Sequence, residues 1–170
     1  MEQNTLKSGS TQLSFKLMDE TYAIEILKVR EIIGLLEITA VPRTASHIRG
    51  VVNLRGKIVP VLDMRAKFGL PPAEARRENC IITVMAEGGK GGLLVGILVD
   101  SVSEVLRISA DQLEPLPSLG HDMDLDFVRG LAKTQGKVTI LLDIDKVIQT
   151  QDLGGLQALT RDLAETGARA

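Results

Sequence analysis

Two glycine–lysine pairs, Gly56-Lys57 and Gly136-Lys137, are the residues whose type and spacing first suggest chemistry. A P-loop cradles phosphates with G-x-x-x-x-G-K-[ST] placed between a strand and a helix. Here Gly50 and Gly56, and again Gly130 and Gly136, enclose five residues, one too many. Ile58 and Val138 occupy the position where a hydroxyl would hold Mg2+, and strand-forming residues follow. Both segments therefore read as turns between strands.

Metal and nucleophile chemistry fare no better. His47, His121 and Cys80 show no close ligand spacing. The acidic run Gly120–Asp126 alternates aspartates, yet counted from Asp122 it lacks the glycine at position 6 and the glutamate at position 12 of an EF-hand. No serine sits in a G-x-S-x-G elbow. Cys80 opens the apolar run Cys80–Val84 and reads as a small buried thiol. Asp63 and Asp143 are expected to cap equivalent strands. No catalytic constellation and no cofactor site emerge, so the chain reads as a non-enzyme.

The elements that position these residues must be built without aromatic bulk. Hydrophobic residues make up 44% of the chain, but aromatics only 2%, with no Trp, so the core falls to Val, Ile and Leu. β-Branched residues suit the pleated surface of strands. A net charge of −2 without a basic run argues against nucleic acid, since phosphate binding needs a concentrated basic face. Arg76-Arg77 is bracketed by Glu74 and Glu78 and reads as a solvated loop. The first twelve residues lack the apolar centre of a signal peptide. The longest apolar run, Leu93–Val99, falls far short of the ~20 residues needed to span a bilayer. A cytoplasmic protein without membrane insertion is expected, and the single cysteine fits a reducing compartment.

An internal repeat sets the architecture. Ile24, Val29 and Glu31 correspond to Ile97, Val102 and Glu104 at an offset of 73 (24 to 97, 29 to 102, 31 to 104). Ile48-Arg49-Gly50, Gly56-Lys57 and Val61-Leu62-Asp63 correspond to Val128-Arg129-Gly130, Gly136-Lys137 and Leu141-Leu142-Asp143 at an offset of 80 (50 to 130, 56 to 136, 63 to 143). The loop Pro115–Asp126 accommodates the difference. Alternation in Leu13–Met18 and the short apolar runs Tyr22–Leu27, Lys57–Leu62, Cys80–Met85, Leu93–Val99 and Val138–Ile144 predict strands. Gly88–Gly92 reads as a hairpin connection. Arg65–Phe68 and Ser109–Gln112 read as single helical turns, the latter with capping-box spacing. Leu153, Leu156, Leu159 and Leu163 place a short amphipathic helix in the tail. Many short strands separated by turns suggest small barrels or a sandwich.

The repeated blocks also carry a resemblance. Tyr22-Ala23-Ile24, Val29-Arg30-Glu31-Ile32, Val41-Pro42, the run Ile48–Gly56 with Asn53-Leu54-Arg55-Gly56 inside it, Val59–Arg65 and Phe68-Gly69 resemble the CheW family of bacterial chemotaxis coupling proteins. In the second copy Val95–Asp100 and Val102–Leu106 do the same, so the likeness covers about residues 13–148. The resemblance implies an all-β fold of two SH3-like five-stranded β-barrel subdomains, with short helical turns and a C-terminal helix. It implies a CheW-like domain over 11–150: a first barrel at about 15–78, a second at about 79–150 completed by the N-terminal strand, and a helical tail at 151–170.

The same resemblance implies a non-catalytic scaffold in receptor arrays at the inner membrane. Its expected partners are the regulatory domain of a CheA-type histidine kinase and the cytoplasmic tip of methyl-accepting chemoreceptors. An adaptor of a non-flagellar chemosensory pathway is the nearest alternative, and a small-molecule-binding enzyme a distant one. At this length neither kinase catalytic domains nor a receiver domain after residue 150 is expected. Carried residue by residue, the family's sensitive positions fall on Val29, Glu31, Gly50, Asn53, Leu54, Arg55 and Gly56 in the first copy, and on Val102 and Val105 in the second. Val29, Val102 and Val105 read either as an apolar groove for a receptor helix or as ordinary core. Arg55 and Glu31 read either as a charge-assisted pair or as independent solvated charges. Gly50 and Gly56 read as suppliers of positive backbone angles.

Overall fold

A computed structural model describes residues 9–42, 44–86, 92–115 and 126–148. Most of the described chain is strand: β1 (Ser10–Leu17), β2 (Glu20–Glu25), β3 (Val29–Gly34), β4 (Ile48–Leu54), β5 (Lys57–Asp63), β6 (Cys80–Ala86), β7 (Leu93–Val99), β8 (Ser101–Ile108), β9 (Leu113–Glu114), β10 (Val128–Thr134) and β11 (Lys137–Leu142). Two four-residue helices, α1 (Met64–Lys67) and α2 (Ile144–Val147), follow β5 and β11. The glycine run 88–91, most of the acidic run and the leucine-bearing tail lie outside the described residues.

The strands assemble into two sheets with one plan. One runs β8-β1-β2-β11-β10-β9 and the other β3-β6-β7-β5-β4. The repeat offsets superimpose them, with β8 matching β3, β2 matching β7 and β11 matching β5. Each sheet contains one parallel contact, Leu141 beside Ala23 in the first and Val61 beside Gly96 in the second. Offsets of 73 and 80 carry one contact onto the other. The architecture is thus all-β, in two barrel subdomains related by the repeat.

The expected boundary near residue 78 does not follow the sheets. Hairpin β6–β7 joins β3–β5, and hairpin β1–β2 joins β8–β11. Each barrel therefore takes its hairpin from the other half of the chain. The repeat itself cannot reveal this, because either copy's hairpin carries the pattern that either barrel needs.

Side-chain alternation along the strands divides the interior into three clusters, since successive residues face opposite sides of a sheet. Val52, Val59, Val61 and Ile81 fill the five-stranded barrel. Ala23, Ile108, Ala132 and Leu141 fill the six-stranded one. The next residues along, Ile24, Leu62, Ile82 and Leu142, point the other way and join Phe15, Val84, Ile97 and Ile144 in the largest cluster, between the barrels. The chain's four aromatic rings bridge the halves there. Centroids lie 6.0 Å apart for Phe15 and Tyr22, 5.5 Å for Tyr22 and Phe68, and 5.0 Å for Phe68 and Phe127.

Asp63 and Asp143 cap helices rather than strands. The Asp63 Oδ1 accepts from the backbone N–H groups of Arg65 (3.0 Å) and Ala66 (3.4 Å), and Asp143 Oδ1 accepts from Asp145 (3.1 Å) and Lys146 (3.4 Å). The short polar side chain ends its strand and satisfies the first free donors of the following turn. These turns in turn hold the segments where the chain crosses between sheets. Arg65 forks onto the Asp100 carboxylate, with Nε 2.7 Å from Oδ1, between β7 and β8. Asp145, at the repeat position of Arg65, accepts Lys28 Nζ at 2.7 Å between β2 and β3.

Candidate functional site

The run Asn53-Leu54-Arg55-Gly56 forms the tip of the β4–β5 hairpin, where Leu54 pairs with Lys57 and only Arg55 and Gly56 turn the chain. Both carry positive φ, 52° and 85°. Two such residues give the turn whose twist matches a hairpin. The Asn53 Oδ1 accepts the Gly56 N–H at 2.8 Å and braces the tip. Gln135 and Gly136 repeat the geometry in the β10–β11 hairpin, with φ of 52° and 79°. The phosphate-loop geometry is thereby replaced by tight turns between strands.

From this tip Arg55 reaches across to β3. Its Nη1 donates to Glu31 Oε1 at 2.9 Å and its Nη2 to Oε2 at 2.8 Å. Strands β3 and β4 stand at opposite ends of the sheet order, so the pair spans the seam where the barrel curls shut. The hydrogen bond to Glu31 and its negative charge raise the Arg55 pKa above its ordinary value. The Arg55 side chain remains 75% exposed. An exposed pair stabilises a fold little, and its effect here is to fix where a guanidinium stands at the surface.

Gly50 closes the same seam lower down. Thr39 and Val51 exchange backbone hydrogen bonds of 2.8 and 2.9 Å, which brings the Thr39 carbonyl directly over Gly50. Leu54 is half-buried against the core of the five-stranded barrel. The structure thus gathers Glu31, Asn53, Arg55 and Gly56 at one rim, with Gly50 and Leu54 holding the strand behind it.

The three valines separate. Val29 on β3 and Val102 on β8 are half-buried against the cluster between the barrels. Val105 is 57% exposed on β8, and Ile32, its counterpart on β3, is 44% exposed. Val105 lies beside Leu13 and Ile32 beside Ile82 in matching registers. Val29 and Val102 therefore support the strand edges, while Val105 faces outward. An open cleft of about 640 Å3 lies elsewhere, walled by residues including Lys16, Met18, Leu35, Leu36, Arg65 and Asp100 and by none of the nine site residues.

One residue at the rim was not evident from sequence. Thr83, buried on β6, touches the backbone of Glu31 through its hydroxyl. The signal for it was a hydroxyl inside the apolar run Cys80–Val84, in register with Ser14 of the other barrel. Among the described residues no group of three metal-ligating side chains converges, and no helix is long and apolar enough to cross a membrane.

Comparison with known proteins gives concordant results. Residues 12–152 match the family model described as the CheW-like domain. The chain is 37% identical over 145 residues to the chemotaxis protein CheW of Klebsiella aerogenes, covering 85% of each. It is 34% identical over 137 residues to that of Thermotoga maritima, covering 81% of this chain and 86% of the relative. The crystal structure of the scaffolding protein TtCheW from Thermoanaerobacter tengcongensis superimposes with a TM-score of 0.73 at 33% identity, over 85% of this chain and 95% of that one.

Proposed function

This chain belongs to the CheW family and is a non-catalytic chemotaxis scaffold; from that premise we propose that it couples methyl-accepting chemoreceptors to the regulatory domain of a CheA-type histidine kinase. The observation that supports the bridging role is the pair of unlike faces. One barrel offers the Arg55 guanidinium, held by Glu31 at its rim. Each barrel also exposes an aliphatic residue, Ile32 on β3 and Val105 on β8, so the difference lies at the hairpin tip of the second barrel. At the position matching Arg55 it has Gln135, which is neutral, so the repeat presents two chemistries. A scaffold that must hold two different partners at once needs such a difference.

In this reading the nine residues Val29, Glu31, Gly50, Asn53, Leu54, Arg55, Gly56, Val102 and Val105 form or support partner-binding surfaces, and the chain works at receptor arrays on the cytoplasmic side of the inner membrane. The test is co-purification of the intact chain with a CheA-type kinase and a receptor signalling fragment, singly and together. A ternary complex is expected. A folded chain that binds neither partner, or that binds them only in competition, overturns the coupling role.

A further inference from the structure

Strand β3 carries an irregularity beside its functional residue. Val29 pairs with Val84 and Glu31 with Thr83, so Arg30 is an extra residue opposite no partner. A bulge of this kind bends the strand and re-aims its side chains. It also breaks the backbone ladder at Glu31, and the buried hydroxyl of Thr83 repairs it. The Glu31 N–H donates to Thr83 Oγ1 at 3.0 Å, and Thr83 Oγ1 donates to the Glu31 carbonyl at 3.2 Å. One side chain thus satisfies both backbone groups of the residue whose carboxylate grips Arg55.

The other barrel supplies an internal comparison. Leu13 pairs with Val105 and Phe15 with Val102, so β8 holds one extra residue opposite Ser14. The Ser14 hydroxyl donates to the Glu104 carbonyl at 2.8 Å and accepts from the Glu104 N–H at 3.1 Å. Ser14 and Thr83 are both buried, and Glu104 is the repeat counterpart of Glu31. The bulge and its hydroxyl occur in both barrels, but among the described residues an arginine grips the glutamate in only one.

We propose that Thr83 is a positioning residue for partner recognition: by pinning the Glu31 backbone inside the β3 bulge, it fixes the carboxylate that orients the Arg55 guanidinium. The inference rests on the reading that Arg55 contacts a partner. Threonine suits the task because its hydroxyl both donates and accepts, which neither valine nor alanine can do. Its position on β6, between β3 and β7, keeps water from replacing the contact.

The test measures affinity of the full chain for the kinase regulatory domain and for the receptor fragment in four single variants and the Thr83→Val/Arg55→Ala double variant. Arg55→Ala comes first: if it weakens neither partner, the underlying reading fails, whatever Thr83 does. Given a loss on Arg55→Ala, Thr83→Val is expected to weaken the same partner about fivefold and to be non-additive with it. Thr83→Ser, which keeps the hydroxyl, should bind within about twofold of the parent. Ser14→Ala removes the matching contact far from Arg55 and should leave that affinity unchanged. The inference is overturned if Thr83→Val binds like the parent, if its effect adds to that of Arg55→Ala, or if Ser14→Ala weakens that partner equally. Should Thr83→Val not fold, Thr83→Ser carries the test, and a tenfold loss in that variant overturns it.

Discussion

Gly50 passes so close beneath Thr39 that a methyl group on its Cα would stand 2.1 Å from the Thr39 carbonyl oxygen. Its φ of 146° is also one that side-chain-bearing residues avoid. Gly50→Ala must therefore push apart the two backbone hydrogen bonds that shut the barrel seam. We expect a loss of about 3 kcal/mol or more, read as a lowered urea midpoint. Gly56, at φ 85°, has nothing within 4 Å of an added Cβ, so Gly56→Ala should cost only about 1 kcal/mol. Equal losses at the two sites would remove the role assigned to the Thr39 contact.

The bidentate pair between Arg55 and Glu31 predicts coupling in binding rather than in stability. Arg55→Ala and Glu31→Ala should each weaken one partner about threefold to tenfold, and the double variant should lose no more than the stronger single change. Thermal midpoints should stay nearly unchanged, as expected of an exposed pair. Additive losses would mean that the two charges meet the partner separately.

Val102 and Val105 share a strand but not an environment. Val105→Lys should leave the thermal midpoint within about 2 °C of the parent, because the position is 57% exposed. If β8 meets the receptor tip, the same change should lower receptor-fragment binding while sparing the kinase domain. Val102→Met extends a half-buried side chain into the cluster between the barrels and should cost about 1 kcal/mol of stability. Chemical denaturation beside calorimetric titration separates these outcomes.

Asp100 links stability to pH. Burial pushes its carboxyl up, but the Arg65 hydrogen bond and the Met18 backbone N–H outweigh this and hold it below the ordinary value of 3.8. A depressed carboxyl stabilises the fold above its unfolded-state pKa and loses that contribution as pH falls through the lower folded-state value. Water reaches part of the pair, so Asp100→Asn should cost about 1–2 kcal/mol at pH 7. The difference between parent and variant should begin to shrink below about pH 3.8 and vanish only below the lower folded-state value. A constant difference from pH 7 to pH 3 would show that lost packing, not charge, is responsible.

Much of this was legible in the residues, but unevenly. The two-residue period of Leu13–Leu17 and the apolar run of β6 mark their strands because one or both faces are buried. Strands β3 and β8 are harder to read, since the bulges at Arg30 and opposite Ser14 interrupt the alternation that a reader counts. The Arg55-Gly56 tip announces itself as a turn, and the charges of Arg55 and Glu31 allow a pairing without requiring one. Thr83 shows no charge and no motif; its role depends on a register that only the folded sheet defines. The resemblance, not the pattern, pointed the N-terminal strand to the second barrel, because pairing within a half and pairing between halves satisfy the same pattern.

That reciprocal exchange of hairpins has a consequence for how the protein comes into being. Ala23 is made 118 residues before its parallel neighbour, Leu141 (23 to 141). While the chain is being synthesised, hairpin β1–β2 has no β11 to lean on until residues 137–142 have been made. Contacts of such long range are slow to form, because the loop they close must be ordered before it is rewarded. Once formed, they are backed by the cluster that holds Phe15, Ile24, Leu62, Ile82, Ile97 and Leu142, so neither barrel opens without exposing apolar surface of the other. The molecule should therefore unfold as one cooperative unit, and a load applied to one face meets the resistance of the whole.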